Sequence, residues 1–277
     1  MCITVNHAAL SKTKILSLPL ENGNHFIAYS NSVKNTSGKP NAMILPVPGE
    51  TTHEMFHNTE NYKDFLDEII KKAALNKWEG WKSRGFKSKV ILSADFENFQ
   101  LGMYNIGLTK DFNDVQTFIQ SQPEEKRPEV SESLQNFFKE KYAGWSFVVC
   151  LFDNNKTIDA QPIAFEYKPF GGNRLIYFPT MDAHDGQAPE VGGMVDVDHT
   201  FIYEHTGPMT RKYYMESVKL DAAVPDFIQN RKFRFVDVHD CLPNFDTYID
   251  TQKLAETDFD EDAPIKRIEP VPNIETT

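Results

Sequence analysis

The chain runs to 277 residues, with 40 acidic against 29 basic side chains, a formal net charge of −11 and 40% hydrophobic residues. That length suffices to bury a sizeable core, and 21 phenylalanines exclude a chain that stays disordered throughout. The acidic balance removes the attraction on which non-specific nucleic-acid binding and adsorption to anionic membranes depend, so neither partner is expected.

The opening Met1-Cys2-Ile3-Thr4-Val5-Asn6-His7 has no basic region followed by a long apolar run, so it does not read as a secretory signal. No stretch approaches about eighteen consecutive apolar residues. Cys2, Cys150 and Cys241 are far apart and form no C-x-x-C pair, which gives neither a disulfide framework nor a cysteine zinc site. A soluble, cytoplasmic protein is the expectation.

In chain order, residues 2 to 47 read as β structure: Ile3 to Val5, Lys14 to Leu18, His25 to Tyr29 and Ala42 to Val47. Asn22-Gly23 favours the positive φ angles of a tight turn and predicts a hairpin across Glu21 to Asn24. Pro46 and Pro48 are expected to end the fourth run, since proline cannot donate to a ladder. Tyr62, Phe65, Leu66, Ile69, Ile70, Ala73 and Ala74 make one apolar helical stripe, with Asn61 as its expected N-cap. Val90 to Ala94 returns to strand character. Phe96, Phe99 and Met103 suggest a short helix capped by Asp95 and stopped at Gly107.

A polar break from Gln120 to Arg127 precedes a second stripe, Val130, Leu134, Phe137, Phe138 and Tyr142, with Pro128 at its first turn. Strands are then expected at Trp145 to Phe152, Pro162 to Tyr167, Arg174 to Phe178, Thr200 to Glu204, Met215 to Leu220 and Phe233 to Val238. From Glu256 onward there are seven acidic residues, two basic ones and three prolines, the composition of a solvated tail. The fold class is therefore α+β, an antiparallel-rich sheet system with about three helices packed on it. Residues 1–250 read as one domain, with a single continuous interior from the first strand to about Ile228, and 251–277 as an acidic, disordered tail.

The order of these pieces resembles the bacterial family catalogued as domain of unknown function 2330. The resemblance is carried by Cys2 to Val5, Lys14 to Leu16 with His25 to Ile27, Met43 to Pro48, Val90 to Ala94, Trp145 to Val149, Pro162 to Tyr167, Thr200 to Tyr203 and Tyr214 to Leu220, over roughly residues 2–228. It implies a fold and a domain limit. No mechanism comes with it, because that family has no established activity.

Three constellations carry candidate chemistry. Removal of Met1 would leave Cys2 with a thiol and its own α-amine, a nucleophile and a base in one residue, similar to the N-terminal-nucleophile hydrolases over Met1-Cys2 and the following strand. Those enzymes need an early arginine, whereas the first one here is Arg84. His53-Glu54-Met55-Phe56-His57 matches H-E-x-x-H, which requires both histidines on one helical face to bind zinc and the glutamate as base. Glu79 is the candidate third ligand. Pro48-Gly49 upstream and Asn58 downstream place the motif in a loop.

The third cluster holds Asp182, His184, Asp185, Asp196, Asp198, His199, Glu204 and His205, with Asp237, His239 and Asp240 further on; it reads more simply as a solvated loop between strands. Gly171-Gly172 and Gly192-Gly193 are turns, with no phosphate-loop pattern, and no cofactor is indicated. The favoured reading is a non-catalytic module that binds a protein or a small molecule through loops such as Gln120 to Pro128 and Asp182 to Gly193. An N-terminal-cysteine amidohydrolase on Cys2 and a zinc hydrolase on His53 and His57 are the alternatives.

Overall fold

The computed structural model describes residues 2–75, 98–172, 174–204, 228, 231–256 and 265–268. It opens with a short strand, β1 (Ile3–Thr4), and a long hairpin of β2 (Ala8–Pro19) and β3 (His25–Asn35). The hairpin closes as Asn22-Gly23 predicts: Gly23 has φ 86° and Pro19 pairs with His25. The register shifts between Ser11 and Lys14, with Lys12 at φ 53°. β4 (Asn41–Val47) follows and contains Pro46, which does not end it. Pro46 pairs with Phe147 on one flank, while the other flank meets β1 only at Met43 and Ile44, so its missing N–H falls past that short ladder.

After β5 (Gly49–Glu50), a 3-10 turn at His53–Met55 and β6 (Phe56–His57), the first helix, α1, spans Phe65–Leu75. It starts four residues after Asn61, because single turns come first: Tyr62 N–H bonds to Thr59 O and Phe65 N–H to Tyr62 O. The expected strand Val90 to Ala94, the expected cap Asp95 and Phe96 lie outside the described residues. Phe99 and Met103 do not belong to a helix. They sit on a hairpin of β7 (Asn98–Leu101) and β8 (Tyr104–Thr109), turned by Gly102 at φ 55°. Their spacing mimics one helical turn, but the glycine and the ladder to the next sheet strand decide the outcome.

Two helices follow. α2 (Phe112–Ser121) has no counterpart in the sequence reading; Asp111 caps it, its Oδ1 accepting the Asn113 and Asp114 N–H groups at 2.7 and 3.1 Å. α3 (Glu132–Lys141) is the second stripe, capped by Ser131 rather than entered at Pro128. The remaining strands are β9 (Ser146–Phe152), β10 (Ile158–Asp159), β11 (Ile163–Pro169), β12 (Leu175–Phe178), β13 (Met194–Glu204), β14 (Phe233–Pro243) and β15 (Asp246–Asp250). Met215 to Leu220 lies outside the described residues. The segment read as a disordered tail contains α4 (Thr251–Glu256) and β16 (Ile265–Ile268), which pairs antiparallel with β15.

The fold is α+β. Among the described residues there are three sheets: β1-β4-β9-β8-β7; β14-β13-β2-β3-β11-β5, with β10 on β3 and β6 on β11; and β12-β15-β16. Pairing is antiparallel except between β2 and β13. The expected single interior is instead two apolar layers on opposite faces of the second sheet. Ile15, Ile27, Tyr29 and Phe165 point into the larger, inner layer with the first sheet, α2 and α3. Leu16, Phe26, Ala28 and Ile202 point the other way, onto Phe65, Leu66 and Ile69 of α1 and Phe233 of β14. The period-2 alternation of the strands makes this division, because both faces of β2 and β3 are apolar.

Candidate functional site around the N-terminal cysteine

Cys2 lies at the rim of the first sheet and leads into β1. Successive side chains Cys2, Ile3, Thr4 and Val5 are all buried, although a strand's neighbours point to opposite faces, so something must cover both sides. Both edges of β1 are paired as well, one with β4 and the other with the stretch 181–187: Thr4 N–H bonds to Ala183 O at 2.8 Å, Ala183 N–H to Cys2 O at 3.4 Å and Ala8 N–H to His184 O at 3.0 Å.

That stretch, expected as a free solvated loop, is fastened along its length. Asn244 accepts the Asp182 N–H and donates to Asp182 O, both at 2.8 Å, and the Ser131 hydroxyl donates to Gly186 O at 2.6 Å. Gly186 has φ 79°, and a Cβ there would stand 2.4 Å from Val5 O, so only glycine fits. Asp182 pairs with His184 at 2.8 Å within the same stretch.

Burial pushes the Cys2 thiol up to about 12, the N-terminal positive charge and the Tyr29 hydroxyl only partly offsetting the desolvation. Tyr29, Asn31 and Tyr104 continue the polar chain: Asn31 Nδ2 donates to the Tyr29 hydroxyl at 3.3 Å, and the Tyr104 hydroxyl donates to Asn31 Oδ1 at 3.2 Å. Cys150 is buried nearby and is also pushed up by desolvation. Burial of this kind favours the neutral thiol over the thiolate at neutral pH. Tyr29, Asn31 and Tyr104 carry no sequence signal; they are brought to Cys2 by pairing across the fold.

His53 and His57 do not share a helix face. His53 begins the 3-10 turn and packs edge-on against Phe99, with centroids 4.9 Å apart. His57 lies on β6, its Nε2 3.2 Å from Glu166 Oε1. Burial lowers the His57 pKa below 6.5 and the Glu166 carboxylate partly restores it. Glu166 also accepts from Asn24 Nδ2 at 2.9 Å, so it serves the hairpin turn. Glu79 lies outside the described residues, and among those described no three His, Cys, Asp or Glu side chains converge as metal ligands.

The acidic third cluster is divided between the stretch 181–187, which holds Asp182, His184 and Asp185, and the β13–β14 ladder. Asp196, Asp198 and Thr200 pair with Cys241, His239 and Asp237, while His199 turns inward onto Phe201. Glu204 pairs with Arg231, and His205 lies outside the described residues.

No family model and no curated protein matches the chain. Among solved structures, the crystal structure of baculovirus P35 superposes with a TM-score of 0.52 at 14% identity, covering 90% of this chain and 99% of that one. A crystal structure of a caspase-8/P35 complex matches less closely, with a TM-score of 0.41 at 14% identity, over 72% of this chain and 64% of that one. The resemblance to domain of unknown function 2330 is therefore corrected. Its motifs were short apolar strands, and such strands recur in any buried sheet. Over nearly its whole length, this α+β chain has a fold similar to that of baculovirus P35.

Proposed function

We propose that this protein is a non-catalytic inhibitor that binds a protease of the caspase class. The carrying observation is the P35-like fold, shared over 90% of this chain and 99% of P35. P35 is the protein crystallised in complex with caspase-8, and in a mutated form after caspase cleavage. The neutral, core-packed Cys2 and the separated His53 and His57 favour binding over hydrolysis. The chain's net charge of −11 makes its encounter with a partner dependent on salt.

The test is direct. Purified chain is incubated with caspase-8, the remaining activity is read on a fluorogenic peptide, and the mixture is run on a sizing column. Loss of activity at near-equimolar inhibitor, with both proteins in one peak, is expected. Full activity at a tenfold excess of the chain, with two separate peaks, would contradict the reading for this protease.

A further inference from the structure

Away from Cys2, the second sheet ends in β14, and among the described residues no strand pairs with its outer edge. The strand is long and regular, its residues pairing one for one with Met194–Glu204. Just past its end, Asn244 N–H bonds to Gly193 O at 2.7 Å. In an antiparallel ladder, residues that turn their N–H and C=O groups to the partner alternate with residues that turn them away. Counted back from Asn244, Asp240, Val238 and Val236 turn toward β13, while Cys241, His239, Asp237 and Phe235 turn outward. The two ends of this edge differ. Asp240 Oδ1 accepts the outward Cys241 N–H at 2.8 Å and Pro243 has no N–H, so the far end is closed to an added strand. Among the described residues nothing caps the outward groups of Phe235, Asp237 and His239, and Asp237 and His239 are exposed.

The two faces of the strand dictate what fits beside it. Phe235 packs on the outer layer, so Asp237 and His239 follow it on that face, while Val236 and Val238 pack on the inner layer. The outer-face row is acidic. Asp237 accepts the Thr200 hydroxyl at 2.6 Å, Asp198 lies opposite His239 with Oδ1 4.0 Å from Nδ1, and Asp196 lies opposite Cys241. Lys14, the neighbour of Thr200 on β2, is turned to Asp67 of α1. The inner-face row is apolar, its two valines only partly buried at the rim of the sheet.

A strand added here would bond to the outward groups of Phe235, Asp237 and His239. Every second side chain of it would fall beside Asp237, and those between would cover Val236 and Val238. Opposite charge favours lysine or arginine in the first set, and packing on a pleated surface favours β-branched apolar residues in the second. A second copy of β14 is the poorer fit, since antiparallel pairing centred on the open stretch sets Asp237 against itself, between chains that each carry a net charge of −11. We propose that the β14 edge takes up an extended segment of a partner protein, alternating basic with β-branched apolar residues, as an added antiparallel strand over 235–239. This strand addition is independent of protease inhibition.

The test uses the whole chain and two short peptides, one alternating valine with lysine and the other valine with glutamate, followed by calorimetry and amide exchange. The lysine peptide is expected to saturate one site and to bind at least about tenfold more tightly than the glutamate peptide. It should slow exchange of the Asp237 and His239 amides and leave those of Val236 and Val238, already bonded to β13, unchanged. Asp237→Pro removes an outward N–H without removing a bond to β13, and should abolish binding. Asp237→Lys, an exposed change, should cut the lysine peptide's advantage several-fold, and keeps the test decisive if the proline variant does not fold. No saturation by the lysine peptide up to about 5 mM, equal affinity for the two peptides, undiminished binding by folded Asp237→Pro, or a dimer of the chain that Asp237→Pro dissociates would overturn the proposal.

Discussion

The inner and outer apolar layers share one sheet yet are built on different scales. The inner layer gathers β1, β4, β9, α2 and α3, and it includes Phe112, Phe138, Tyr142, Trp145 and Phe147 in successive ring contacts with centroids 4.8–5.9 Å apart. The outer layer depends on α1, whose Phe65, Leu66 and Ile69 cover a patch of β2, β3, β13 and β14. A ring with apolar neighbours on every side loses more on removal than one under a single helix, because less can relax into the gap. The inner layer is therefore expected to hold the fold and the N-terminal strand in place, and the outer layer to open first.

The largest effect is expected at Phe138, which is 0% exposed and touches Phe112, Phe137, Tyr142 and Phe147. Phe138→Ala should lower unfolding free energy by about 4 kcal/mol in a urea titration. Phe65→Ala in the outer layer should lower it by about 3 kcal/mol, the lower end of the range for such truncations. Amide exchange should separate the layers independently, with α1 exchanging by local opening while β9 waits for global unfolding. Equal costs and equal protection would erase the distinction.

Smaller effects come from the caps and from pH. Asp111→Ala removes the acceptor for two N–H groups of α2 and should cost about 1 kcal/mol. The two layers also titrate with opposite sign. Burial raises Asp246 above 3.8, so the folded state holds its proton more tightly than the unfolded chain, and its contribution to stability falls as pH rises from 3.8 through the raised value. Burial lowers His57 below 6.5, so its contribution is full above 6.5 and is lost as pH falls through the lowered value. Asp246→Asn and His57→Asn should each remove one limb of the pH profile of the urea midpoint, and a profile unchanged by either variant would refute the assignment.

What the sequence disclosed was local. Asn22-Gly23 specifies its turn without help from the rest of the chain, and the stripes on α1 and α3 are periodic enough to stand alone. α2 escaped notice because only Phe112, Val115 and Ile119 are buried on it, which gives a short stripe beside a polar run. The hairpin of β7 and β8 was misread because Phe99 and Met103 fall four apart, and only the partner strand β9 distinguishes the two conformations. The surroundings of Cys2 were hidden for a further reason. Stretch 181–187 reaches β1 across about 180 positions of chain, through backbone atoms that every residue type possesses. Asp246 looked like one acidic residue among 40, and its burial follows from Tyr142 and Thr180 closing over it.

The account turns on Cys2 belonging to the inner layer as a neutral thiol and not to a centre of hydrolysis. Timed alkylation of the folded chain with iodoacetamide at pH 7.5, read by peptide mass spectrometry, measures this on all three cysteines at once. Exposed Cys241 should be labelled within minutes, with Cys2 and Cys150 protected until denaturant is added. Labelling of Cys2 in the folded chain as fast as Cys241, or faster, would contradict it.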